Sequence, residues 1–268
     1  MSVKFGHASK DENSKIKGGN AGDQTGREVY ITDYYVHSKG WILLRLKDYA
    51  TRQKIAEAME KACANDQIGY DQGQRSTLYN NVKNSGFDPS KTTKNVETDC
   101  SELVHVCICY ALGEDKTGSF NTETLPDALV KIGLFEKYTD DKYCKSSDYL
   151  MRGDILCTST KGHVVVVLSN GDKVVTSMTA SEGSKLFENA LYGEYKTTAS
   201  LNIRNGAGTT INEYGNDKSI MVKAPKGTKL MCCGSYTMVD NRKWLYVNLA
   251  IDGVTYVGFA SSKYLEKV

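Results

Sequence analysis

The stretch Glu97-Thr98-Asp99-Cys100-Ser101-Glu102-Leu103-Val104 constrains this chain more than any other, because it ties a cysteine to the start of a helix. Asp99 is a strong N-cap type, and Glu102 three positions later completes a capping-box pattern. Leu103, Val106, Cys107, Tyr110 and Ala111 then recur at helical spacing, and Gly113 supplies a stop. The spacing therefore predicts a helix with Cys100 in its first turn. A thiol there meets unpaired backbone N–H groups and the positive end of the helix dipole, which favours the thiolate. Many free cysteines are only small buried hydrophobes; the capped start is what points Cys100 toward chemistry.

A nucleophilic cysteine needs a base, and the chain has four histidines: His7, His37, His105 and His163. Five residues of helix are roughly 500° of turn, so His105 falls about 140° around the axis from Cys100 and is set aside. His163 follows Lys161-Gly162 and opens Val164-Val165-Val166-Val167-Leu168, a buried-strand pattern. Arg152–Cys157 reads as the neighbouring strand, with a hairpin over Thr158–Gly162. Lys173–Ser177 reads as a third strand that closes a meander. Helices before this meander, at Arg52–Ala64, Thr77–Lys83 and Thr122–Leu134, give an α+β class.

Thr98-Asp99-Cys100-Ser101-Glu102-Leu103-Val104, then Arg152-Gly153-Asp154-Ile155, then Gly162-His163-Val164 resemble, in that order, the NlpC-type, papain-like cell-wall hydrolases of bacteria and phages. The resemblance covers about residues 1–175 and implies Cys100 as nucleophile and His163 as base, with no metal or other cofactor required. Ile68-Gly69-Tyr70-Asp71-Gln72 resembles the family segment that sets a tyrosine beside the nucleophile. That implies a catalytic role for Tyr70 and substrate contacts from Gln72, Asp99 and Ser101; Asp154 is expected to be a turn residue supporting the His163 strand. The family places a third polar residue on the strand after the histidine, where this chain has Val175, with Thr176 one position on. The orienting role stays open. The N-terminal segment offers Gln24, with His7 preceding it, and Gln24 is the candidate put forward. The glycine-rich run Lys17–Gly26 is expected to be a flap beside the site.

Residues 176–194 lose any strong pattern and are expected to be a linker. Beyond them come short alternating strands and the hairpin signal Asp252-Gly253, which predict a small all-β barrel over 195–268. Leu201-Asn202-Ile203-Arg204, Pro225-Lys226-Gly227, Trp244 and Val257–Leu265 resemble bacterial SH3-type domains. That resemblance implies cell-wall binding, with Trp244 and Tyr246 as groove candidates.

Charge agrees with an anionic partner. From Lys196 onward ten Lys/Arg stand against five Asp/Glu, and before it 24 stand against 27, so a basic tail follows a weakly acidic first part. The basic residues are scattered and form no stripe, which argues against nucleic acid. No apolar run approaches the roughly 20 residues of a membrane span, and the N-terminus lacks a signal-peptide core. The eight cysteines show no paired CxxC spacing, so reduced thiols are expected. Together these readings predict a phage endolysin, held in the host cytoplasm until release to the wall. It would cut peptidoglycan stem peptides, first at the D-glutamyl–diamino acid bond; an N-acetylmuramoyl-L-alanine amidase, a non-catalytic wall-binding protein and a cytosolic thiol enzyme are the alternatives.

Overall fold

In the computed structural model, which describes residues 2–209 and 220–268, the chain divides between Val174 and Val175 into two units, each with its own core. The first unit opens with strands β1 (Lys4–Ala8), β2 (Val29–Asp33) and β3 (Trp41–Leu46), then helix α1 (Tyr49–Cys63). Strand β4 (Ile68–Tyr70), α2 (Thr77–Val82), β5 (Val96–Thr98) and α3 (Cys100–Leu112) follow, and then α4 (Leu125–Lys131), β6 (Phe135–Tyr138), β7 (Ile155–Thr158) and β8 (Val164–Val167). Six of the strands form one antiparallel sheet in the order β2-β1-β8-β7-β3-β6. Strands β4 and β5 pair in parallel beside it and lead directly into α3.

Strand alternation explains the layering. Val164 and Val166 of β8 face the core shared with α1 and α3, and Val165 and Val167 face a second cluster with Phe5, Trp41, Leu43 and Leu156. A continuous valine run is what burial on both faces demands. Helix α1 lies close over β1 because Gly6 has no side chain: a Cβ there would fall 2.3 Å from Met59 Cγ. Helix α3 starts where the cap pattern predicts, with Asp99 Oδ1 accepting from the Glu102 amide at 2.7 Å, and it ends at Gly113 with φ +75°. The capping box is only half made. The Glu102 carboxylate turns inward to His105, Ser119 and Arg75.

Two expectations are corrected. Lys173–Thr176 forms no strand beside β8; that place is taken by β1, which brings residues from the chain's beginning to the histidine strand. The stretch 176–194 is not a free linker either. It holds β9 (Ser177–Thr179) and most of β10 (Leu186–Thr197), both paired within the second unit.

That unit continues with β11 (Leu201–Arg204), β12 (Ile220–Ala224), β13 (Lys229–Val239), β14 (Arg242–Ile251), β15 (Val254–Ser261) and β16 (Leu265–Lys267). They join in one sheet ordered β12-β11-β15-β14-β13-β10-β16, with β9 parallel to β15. Asp252 and Gly253 make the β14–β15 turn with φ +50° and +80°, the left-handed pair that a two-residue hairpin requires. Alternate residues Leu245, Val247 and Leu249 point into the core with Ile203, Leu230 and Cys232.

Candidate functional site

Cys100 stands in the first turn of α3, on the wall of a cleft of about 300 Å³ that also includes Gln72, Arg75, Asn121, Thr122 and Gly162. Its position follows from local chemistry. Strand β5 delivers the chain to Asp99, and the Asp99 cap turns it into the helix. Arg75 then braces the turn: its Nε lies 2.8 Å from Asp99 Oδ2, and its Nη2 donates to Ser101 Oγ, Glu102 Oε2 and the Phe120 carbonyl at 3.0, 3.1 and 2.6 Å. Asp99 and Ser101 are thus committed to shaping the turn, and Ser101 Oγ donates to Asp99 Oδ1 at 2.8 Å. Nothing in the local sequence around Arg75 marks it for this job.

The β7–β8 hairpin forms the opposing wall. The Gly162 amide donates to Thr122 Oγ1 at 3.1 Å, and Thr158 Oγ1 takes the His163 amide at 2.9 Å. The next amide, that of Val164, lies near enough to the Cys100 sulfur to favour its charge, as does the Ser101 amide. His163 is half-buried, and its Nε2 lies 2.7 Å from Nδ1 of His7 on β1. His7 is buried and packs on Tyr30 with ring centroids 4.5 Å apart, while the half-buried His37 ring stands 6.5 Å from His163. The partner that holds the His163 ring is therefore His7. Gln24, the candidate for that role, spends its amide on the Ala21 and Gly22 carbonyls at 2.9 and 3.3 Å inside the glycine-rich segment.

Tyr70, at the end of β4, is buried, and burial and then Cys100 disfavour its ionisation; its hydroxyl accepts from Gln72 Nε2 at 3.0 Å. The glycine-rich segment packs on this loop: the Gln72 amide donates to the Ile16 carbonyl at 2.9 Å, and the Gly18 amide to Asp71 Oδ2 at 2.8 Å. Trp244 belongs to the second unit. It is 5% exposed and packs with Ala180, Ala207 and Phe259, so most of its surface is core, although one edge borders a cleft of about 290 Å³ with Asn202, Arg204 and Tyr264. Tyr246 is half-buried, with its ring edge-on to Phe259 at 5.0 Å.

The electrostatics reverse one expectation. Burial of the sulfur, only 5% exposed as a residue, and then the Asp99 charge push the Cys100 thiol up to about 12, against the pull of the Val164 and Ser101 amides. Burial outweighs the helix dipole, so the thiol is the resting form. His163 is lowered to about 3 by burial, then by His7 and His37; burial alone lowers His7 to about 4. The pair rests neutral.

This has a measurable consequence for stability. Unfolded histidines bind protons near pH 6.5, whereas folded His7 and His163 do so only near pH 4 and 3. The unfolded chain gains protons first, so stability is full above pH 6.5 and falls as the pH drops toward 4. His105, held between Glu102 and Asp115, is raised despite its burial and works in the opposite sense. Urea midpoints measured from pH 7 to 4.5 should decline, with a loss on the order of 3 kcal/mol. A His7→Gln variant should show a shallower decline; equal slopes in the two proteins would refute the assignment.

A family model described as an endolysin-like domain matches residues 5–174. That span contains His7, Tyr70, Cys100 and His163. No curated protein and no solved structure matches the chain.

Proposed function

The chain belongs to the endolysin-like domain family, and from this premise we propose that it is a cysteine peptidoglycan hydrolase that cuts an amide bond in the stem peptide. The observation that carries the reading is the 2.7 Å contact between His7 Nδ1 and His163 Nε2 on the strand whose next amide addresses the Cys100 sulfur. With Nε2 engaged by His7, Nδ1 is the nitrogen of His163 left to take a proton. That requires the tautomer in which His163 Nε2–H donates to His7 Nδ1. His7 then fixes the imidazole plane, the part an Asn or Asp plays in other nucleophile–base–orienter sets.

In this scheme the neutral His163 removes the thiol proton as the sulfur attacks the carbonyl carbon. The imidazolium so formed returns the proton to the leaving amine as the C–N bond breaks. A water then attacks the thioester, again giving a proton to His163, and the carboxylate product leaves with the thiol restored. The Cys100 amide at the head of α3 is the donor proposed for the oxyanion. Tyr70 assists: burial, then Cys100, keep its phenol protonated far above neutral pH and so able to donate. Gln72 and Arg75 on the cleft wall are suited to the polar backbone and carboxylates of a stem peptide.

For the second unit we propose wall binding in the manner of bacterial SH3-type domains. The basic balance of the chain beyond Lys196 and the cleft at Trp244 support it. Release of the protein to the wall by a phage is part of the same proposal.

The test is clearing of purified cell walls followed by mass spectrometry of the soluble fragments. The expected result is falling turbidity with a new free amino group on the diamino acid, the product of D-glutamyl–diamino acid cleavage. A new L-alanine N-terminus would reassign the bond to the muramoyl amide, and intact walls of both diaminopimelate and lysine types would overturn the hydrolase reading.

A further inference from the structure

Away from the cleft, Glu12, Glu28, Asp71 and Glu97 gather around the glycine-rich segment; burial first, and then the neighbouring acid charges, raise the proton affinity of Glu28 and Glu97. Glu28 is fully buried and Glu97 is 1% exposed. The Glu28 oxygens accept from the Tyr70 and Gln24 amides at 2.9 and 3.1 Å. Neither oxygen of Glu97 meets a donor at hydrogen-bonding geometry, although the Gly22 amide lies near enough to favour its charge. Glu12 Oε2 and Asp11 Oδ2 are likewise buried without a partner. None of these five acids is in an ion pair among the described residues. Buried polar atoms in folded proteins are nearly always satisfied, so four such oxygens in one segment point to a ligand.

Two glycines let the backbone close in on these acids. A Cβ at Gly69 would fall 2.4 Å from the Gly22 carbonyl oxygen and 2.9 Å from Glu97 Oε2, and one at Gly19 would fall 2.5 Å from Glu12 Oε2. Carboxylate and carbonyl oxygens, with no sulfur or imidazole, are the donors of a hard cation. Among the described residues only His105, Cys109 and Asp115 bring three His, Cys or carboxylate ligand atoms within 4.8 Å of one another, and there His105 is already bonded to both Glu102 and Asp115. In the acidic cluster, main-chain carbonyls and water must therefore complete the shell; an irregular set of six to eight oxygens suits calcium, whereas magnesium demands a near-ideal octahedron.

We propose that Glu97, with Glu12 and the Gly22 carbonyl, binds a calcium-type divalent cation, with the Glu28 charge beside it. The ion would tie the glycine-rich segment to the β4–β5 pair, whose Tyr70–Gln72 loop borders the Cys100 cleft. Burial, then Glu28 and Asp71, push Glu97 up to about 8, so a bound cation also relieves this acid of its repulsion.

The test needs no substrate. The full chain is treated with EDTA, dialysed and titrated with calcium chloride near pH 7.5 by calorimetry, with thermal unfolding in parallel. The expected result is one calcium per chain and a Tm about 5–10 °C higher at a hundredfold excess over the dissociation constant. Glu97→Gln should abolish the response while leaving the cation-free Tm no lower than that of the parent, and the milder Glu12→Gln should weaken binding at least tenfold. Unchanged heat and Tm in the parent protein, an undiminished response in Glu97→Gln, or an equal response to magnesium chloride would overturn the proposal.

Discussion

Replacing Cys100 with alanine should abolish wall clearing, with a rate loss on the order of 10⁴ or more, while the protein still folds. The side chain lost is small, and the helix cap that shapes the turn belongs to Asp99. What disappears is the sulfur whose charge the Val164 and Ser101 amides favour. His163→Ala should lose nearly as much, because nucleophile and base act as one unit and their losses do not add. The neutral resting pair adds a signature. With the thiol near 12 and the imidazole near 3, neither group titrates between pH 5 and 9. The kcat/KM profile should therefore be flat in that window; a bell with limbs inside it would mean a thiolate–imidazolium pair and would sink the general-base scheme. Equal clearing by the parent and Cys100→Ala would sink the cysteine altogether.

How far this site could be read in advance depends on whether the physics is local. The start of α3 was legible because Asp99 caps the amide of Glu102 three residues away and Gly113 takes a left-handed φ at the end. The Asp252-Gly253 turn was legible for the same reason. Its counterpart between β13 and β14 was not, since Asp240 and Asn241 adopt φ +48° and +58° without a glycine to announce it. His7 was hidden by distance. It meets His163 across 156 positions, through a pairing of β1 with β8 that no neighbouring residues encode. Reading strands in chain order put Lys173–Ser177 in that place and left the orienting role to be guessed at Gln24. The direction of the Cys100 ionisation was missed because a helix dipole is visible in sequence, whereas burial to 5% exposure arises only when α3, β8 and the Tyr70 loop close around the sulfur.

Asp154 shows the same limit on the side of stability, and its replacement by alanine should be among the most destabilising single changes in the first unit. In sequence it reads as a turn residue before the β7 strand. In the fold it is fully buried, with Oδ1 taking Arg45 Nε at 2.8 Å, and Oδ2 taking Arg45 Nη2 at 2.6 Å and the Met151 amide at 2.7 Å. Arg45 comes from β3 and is further held by the Tyr149 carbonyl at 3.0 Å and by the rings of Tyr138 and Tyr143 at 5.6 and 5.5 Å. This two-pronged contact joins β3 to the entry of β7, and through β7 it supports the hairpin that carries His163. Removing the carboxylate leaves a guanidinium buried without its counter-charge and an amide without its acceptor. The expected cost of Asp154→Ala is about 3–5 kcal/mol, which lowers Tm by roughly 6–20 °C. Replacing both partners at once, Arg45→Met with Asp154→Leu, should cost clearly less, because the penalty comes from the unpaired charge and not from losing the pair. Thermal and urea unfolding of the three proteins decide the matter: a single variant as stable as the parent, or a double variant as unstable as the single, would show that this contact does not hold the sheet in the way its geometry implies.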